Sequence, residues 1–167
     1  MRPRSIVVLL ASIVGYSNSV PTPEGPAAVQ QRASDQLFPN LIINVDKSNP
    51  GAYSAAGYTA QMTSTLATVF SFDIPYDIHP TCTLTFTLPP PSGLFRYTVA
   101  GSGVITVSSI NGDVSTPTSY GSVAPLLGGS YGSFYVTSGG GGGAIGVPCS
   151  AGTTLQVVLD IFNPVNQ

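Results

Sequence analysis

Charge is what this chain has least of. Only 7% of its 167 residues are Asp, Glu, Lys or Arg, against about 25% in an ordinary soluble domain. Five Lys and Arg cannot form the basic patch that phosphate neutralisation needs, which argues against a nucleic-acid partner. Tryptophan is absent and histidine occurs once. A sugar-stacking platform would have to come from eight tyrosines spread along the chain, and a Ser-His-Asp triad from His79 alone. No charged amphipathic helix can be drawn anywhere. Apolar residues nevertheless make up 43% of the chain, so it does not lack a core in the way disordered sequences do. Abundant Gly and Pro and long Ser/Thr stretches point to many short strands joined by turns.

The N-terminus carries the signs of export. Arg2 and Arg4 precede an apolar run from Ile6 to Val14, followed by Ser17-Asn18-Ser19 with small residues at the −1 and −3 places. Residues 1–19 therefore read as a secretory signal peptide cleaved near Ser19, with a run too short to span a bilayer. Its removal takes Arg2 and Arg4 away and moves the formal charge from −2 to −4. No later run is long enough for a membrane span, and Asp160 interrupts the C-terminal apolar stretch, so a lipid-anchor tail is not expected. The expected location is extracellular or in the cell wall. Residues 20–36 are rich in Pro, Ala and Gln and read as a linker or pro-segment. Residues 37–167 then form one domain with a single core.

Strand patterns recur through that domain. Leu41 to Val45 is a short apolar run closed by Asn49-Pro50-Gly51. Leu66, Thr68, Phe70, Phe72 and Ile74 alternate with small or polar neighbours up to Pro75. In 82–88, Cys82, Leu84, Phe86 and Leu88 face one way and three threonines the other, a half-buried strand. Phe95, Tyr97 and Val99 begin another strand. Gly101-Ser102-Gly103 reads as a turn or bulge leading into Val104–Ile110, and Asn111-Gly112 as a hairpin turn. Residues 113–130 read as a looser segment, Tyr131–Thr137 as a strand, and Gly139–Gly143 as a flexible loop. In the last strand Leu155, Val157, Leu159 and Ile161 share one face, with Gln156 and Asp160 on the other. Seven to nine short strands without a helix predict an antiparallel β-sandwich.

Export and a count of two cysteines together predict one disulfide, Cys82–Cys149. On the chain-entropy account it is worth about 4 kcal/mol, as an upper figure. Because Cys82 lies on the apolar face of its strand, the pair reads as a structural staple.

No catalytic constellation emerges. Asp73, Asp77 and His79 match no spacing with a mechanism, and Pro75 and Pro80 place them in a solvent-exposed loop. Gly101-Ser102-Gly103 lacks the Gly-x-Ser-x-Gly nucleophile elbow. The glycine run lacks the Lys-Ser/Thr of a phosphate cradle, and no pair of carboxylates is nominated for glycoside chemistry. The tyrosines read as strand packing or loop anchors. The expectation is a non-enzymatic protein with no catalytic, cofactor-binding or metal-binding residues.

Several motifs nonetheless point to a family. Val45-Asp46-Lys47-Ser48-Asn49-Pro50, then Phe72-Asp73-Ile74-Pro75, then Thr81-Cys82-Thr83 resemble the first half of a fungal domain. That domain is the C-terminal region of the ubiquitin-3-binding protein But-two. Gly101 and Gly103, Pro148-Cys149-Ser150-Ala151-Gly152-Thr153 and Phe162-Asn163-Pro164 resemble its second half. The loop Tyr76–Pro80 lacks the family's usual glycine, and the pentaglycine looks like an insertion. The resemblance implies a small secreted protein with a disulfide and no established active site. The family's name implies binding to an activating enzyme of a ubiquitin-like modifier, an intracellular event at odds with the leader. The reading is thus a secreted structural or interaction module whose partner is cell-wall polysaccharide or a surface protein. A carbohydrate-binding or carbohydrate-active protein is the alternative.

Overall fold

The computed structural model describes residues 6–8, 11–15, 36–76, 81–91, 99 and 102–161. Its strands are β1 (Ile6–Val8), β2 (Ala11–Gly15), β3 (Gln36–Leu37), β4 (Leu41–Asp46), β5 (Tyr53–Ser54), β6 (Ala60–Met62) and β7 (Leu66–Asp73). They continue as β8 (Thr81–Leu88), β9 (Val104–Ile110), β10 (Thr118–Ser119), β11 (Leu127–Thr137), β12 (Gly140–Pro148) and β13 (Thr154–Ile161). One short helix, α1 (Tyr120–Val123), runs into a 3-10 turn, Ala124–Leu126. Nine strands form one antiparallel sheet in the order β3-β2-β8-β12-β11-β9-β13-β7-β4. Two small ladders, β1 with β6 and β5 with β10, lie outside it.

The sheet curls until strands from its two ends share one core, which gives the expected all-β antiparallel sandwich with one disulfide. Phe70 and Phe72 of β7, Cys82, Leu84 and Phe86 of β8, and Val157 and Leu159 of β13 are buried in a single cluster. The two-residue alternation in β8 and β13 set this face. Burial of each large side chain contributes about 1.5–3 kcal/mol.

The reverse face of β4, β7 and β13 is also covered. Ile43, Val45, Ala67, Val69 and Val158 form a second buried cluster, closed from outside by Val114, Val123, Tyr120 and Leu126. The segment 113–130 is therefore not loose, and the domain is not helix-free. Ser119 caps α1, its Oγ accepting the Ser122 N–H at 3.3 Å. Asn111-Gly112 does not make a hairpin. The Asn111 N–H donates to the Leu126 carbonyl at 2.7 Å, closing a long excursion that lays this cover over the sheet. Val69 and Val158, apolar on both faces of central strands, are the residues that require it.

The glycine run is a second correction. Gly139 lies in the turn, but Gly140 begins β12, which pairs with β8 and β11 on either side. At Gly142, φ is +154° and a Cβ would strike the Phe86 carbonyl oxygen. Gly143 sits opposite Phe86 of β8, and with no side chain of its own it lets Phe86 and Phe134 meet across β12. Their rings stack with centroids 4.6 Å apart. A strand of glycines here makes room for an aromatic pair between its neighbours.

The expected strand at Phe95, Tyr97 and Val99 has only Val99 within the described residues, where it packs against the main core. His79, Asp77, Gly101 and the Phe162-Asn163-Pro164 end lie outside the described residues.

Candidate functional site

The motifs that stand far apart in the sequence meet at one end of the sandwich. Phe72-Asp73-Ile74-Pro75 closes β7, and Cys149-Ser150-Ala151-Gly152-Thr153 forms the turn between β12 and β13. Because β7 and β13 pair in register, with Asp73 opposite Thr154, the two segments lie side by side. The Ile74 N–H donates to the Thr153 carbonyl at 2.8 Å, and the Gly152 N–H donates to the Ile74 carbonyl at 2.9 Å and the Pro75 carbonyl at 3.3 Å. Gly152 adopts φ +71°, a left-handed turn position where a side chain would be strained and would also meet the Tyr76 ring. The Thr153 hydroxyl donates to the Ser150 carbonyl at 2.7 Å and tightens the same turn.

Asp73 is the polar pin of this junction. One carboxylate oxygen accepts the Asn40 side-chain N–H at 2.6 Å, and the other accepts the Thr154 hydroxyl at 3.4 Å. It thereby ties the chain ahead of β4 to the start of β13. The disulfide lies alongside, joining the start of β8 to the end of β12, with Cys82 0% and Cys149 6% exposed. Pro148, exposed, ends β12 opposite Thr81. Gly103 is buried at the start of β9, where its carbonyl accepts the Val136 N–H at 2.9 Å. The carboxylate of Asp73 is engaged by hydrogen bonds and the cysteines by each other, so these residues fasten strands to one another.

Ionisable groups elsewhere are structural as well. The Ser48 hydroxyl and N–H donate to Asp46, with a further bond from the Asn49 N–H, and they hold its carboxyl below the usual value of 3.8. Lys47 pairs with Asp160 at 2.6 Å. Burial and then the nearby Asp160 carboxylate raise the Tyr120 hydroxyl above its ordinary value. Among the described residues no group of three or more His, Cys, Asp and Glu is placed to hold a metal ion.

Gln156 was missed as a structural residue. It lies on the predicted face of β13, yet that face is covered. Its Oε1 accepts the Val114 N–H and its Nε2 donates to the Val114 carbonyl, both at 2.8 Å. The side chain thus stands in for a strand and holds the cover down. Glutamine flanked by Leu155, Val157 and Val158 was the available signal.

Among the described residues, the outer face of β8, β12 and β11 is one surface open to solvent. Thr85 and Thr87 of β8 stand beside Ala144 and Gly142 of β12, and Gly142 is in turn opposite the exposed Tyr135 of β11. It is a surface of hydroxyls and small groups without charge, suited to hydrogen bonding and close backbone approach. Tyr131 and Tyr120 pack against the two buried clusters as expected of packing tyrosines, but others are turned to solvent. Tyr53, Tyr58, Tyr76 and Tyr135 are all exposed, on β5, the loop before β6, the loop after β7, and β11.

A family profile described as the ubiquitin 3 binding protein But2 C-terminal domain matches residues 37–164. No curated protein and no solved structure matches the chain.

Proposed function

Since the chain belongs to the But2 C-terminal domain family over residues 37–164, we propose that it is an exported, non-enzymatic binding domain acting at the cell surface, in the wall or in the surroundings. The observation that carries this is the disulfide. Cys82 and Cys149 are both buried within the fold, as a permanent staple requires, and such bonds persist in oxidising compartments. The leader pattern of residues 1–19 supports the same compartment. The motif junction spends its polar groups on the fold itself, which supports a binding role over a catalytic one. Recognition then falls to the uncharged face of threonine, alanine and glycine and its exposed Tyr135. That face has few planar rings to stack a sugar, which favours a protein partner over polysaccharide.

The test is fractionation of cells producing the full chain, with N-terminal sequencing and thiol titration of the product. The expected result is protein in the medium or wall, starting near Val20, with no titratable thiol. Intracellular protein with residues 1–19 intact and two free thiols would sink the proposal.

A second reading has one observation in its favour: Ala11–Gly15 pairs as a strand along β8 rather than standing apart. A chain that kept this segment in its sheet would remain in the cell, and the ubiquitin 3 binding of the family description would then carry over to it. The same fractionation separates the two readings.

A further inference from the structure

The strand that finishes the β8 end of the sheet comes from the leader. Ala11, Ser12, Ile13, Val14 and Gly15 pair antiparallel with Phe86, Thr85, Leu84, Thr83 and Cys82. If residues 1–19 are removed on export, β8 loses this neighbour and presents a row of unpaired backbone groups. Nothing else described in the chain replaces it: Gln36–Leu37 reaches only Val14 and Ile13, as a two-residue strand outside β2.

Exposed edges are normally blunted by charge, by proline or by a bulge. The β8 edge has none of these. Thr81–Leu88 carries no charged residue and no proline, it pairs with β12 over eight positions without a register shift, and β12 is equally uncharged. Its far end is held by the Cys82–Cys149 bond, so the edge is preorganised and little ordering is lost on pairing.

Resting on the export reading, we propose that the freed β8 edge pairs antiparallel with β8 of a second copy, making a two-fold dimer with one continuous sheet. The sequence of β8 is self-complementary about Thr85. Rotation about that residue sets Thr83 opposite Thr87, Leu84 opposite Phe86 and Cys82 opposite Leu88. Each core-facing residue thus meets a core-facing one, and each threonine meets a threonine. Cross-strand threonine and aromatic–aliphatic pairs are favourable, and no like charges are brought together. A symmetric interface of this kind uses the same patch twice. The leader shows the polarity of the arrangement, since it too runs antiparallel to β8.

The experiment uses the exported chain as it is secreted. Intact mass first establishes whether residues 1–19 are gone. A product that retains them overturns the export reading and, with it, the premise of an open edge. A processed product is then sized by light scattering at micromolar concentration, where a dimer is expected and a monomer overturns the pairing alone. Thr85→Lys, on the outward face at the two-fold axis, sets two ammonium groups opposite each other and should weaken the dimer about tenfold or more. An equimolar mixture of T85K and T85E should restore dimers as mixed pairs. A dimer indifferent to T85K would place the interface elsewhere and overturn the assignment to β8.

Discussion

At its β4 end the sheet is closed by polar side chains, although β6 beside it is itself paired with β1 of the leader segment. Asn44 on β4 holds the neighbouring segment with its side chain, accepting the Gln61 N–H at 2.8 Å and donating to the Thr59 carbonyl at 3.0 Å. The Gly57 N–H donates to the Ile42 carbonyl at 2.8 Å, and Asp46 and Lys47 place charge where the strand ends. The β8 end is built differently. It has threonines in place of charges, a disulfide in place of a side-chain clamp, and a neighbour drawn from a segment that reads as a leader. Edges closed by polar side chains resist foreign strands, whereas an edge left plain invites one. On this comparison the β4 side is closed by polar side chains, while the β8 side is the one left open to a further strand once residues 1–19 are removed.

The largest effect should come from removing what anchors the β8 side. Replacing both cysteines, Cys82→Ser with Cys149→Ser, is expected to lower stability by about 2–5 kcal/mol in urea unfolding. Hydrogen exchange should quicken first in β8 and the end of β12, while β4 and β7 keep their protection. Equal loss of protection at both ends would break the comparison, because it would mean that the bond holds the whole domain and not one edge.

How much of this was legible beforehand follows from burial. Where a strand has one buried face, as in β8, the two-residue alternation named the core residues and the disulfide face correctly. Where both faces are buried, as in β7 and β13, the pattern could show only one of them. Val69 and Val158 then passed for neighbours of a polar face, and the cover carrying Val114 and Val123 went unseen. Gly139–Gly143 was misread for a related reason. Glycine in a strand is normally a weakness, and only the stacking of Phe86 on Phe134, residues distant in sequence, shows why it is needed here. The family resemblance is borne out over residues 37–164, but the meeting of its two halves through Asp73, Asn40 and Thr154 depends on the register of β7 with β13, which local sequence does not encode.

The β4 clamp gives a smaller and more local effect. Asn44→Ala removes the bonds to Gln61 and Thr59. The Thr68 hydroxyl, which divides its single proton between Asn44 Oδ1 and the Gln61 carbonyl, keeps the second partner at 2.9 Å. Because Thr68 stays satisfied, the cost should be about 1–2 kcal/mol rather than the larger penalty of an orphaned buried group. Exchange should rise in β6 and leave β8 unchanged, which denaturant titration and amide exchange together can read. A rise confined to β8 would reverse the assignment of roles to the two ends.

The smallest effect distinguishes the ends by pH. Asp46, at the close of β4, is held below its usual value of 3.8, first by the Ser48 hydroxyl and then by the Ser48 N–H. A carboxyl with a depressed folded pKa adds stability that is fully present above the unfolded value and is lost as pH falls through the folded one. Asp46 is only partly buried, at the end of its strand, so solvent screening keeps its contribution to overall stability slight. The signal to follow is therefore local. The Ser48 and Asn49 amide resonances should titrate with a midpoint below 3.8, and Asp46→Asn should abolish the movement. Strand β8 has no ionisable side chain apart from the bridged Cys82, so its own groups give its amides no reason to move in that window. A midpoint at or above 3.8 for Ser48 would show that the turn after β4 is not held by this carboxylate, and the polar closure of that edge would then rest on Asn44 alone.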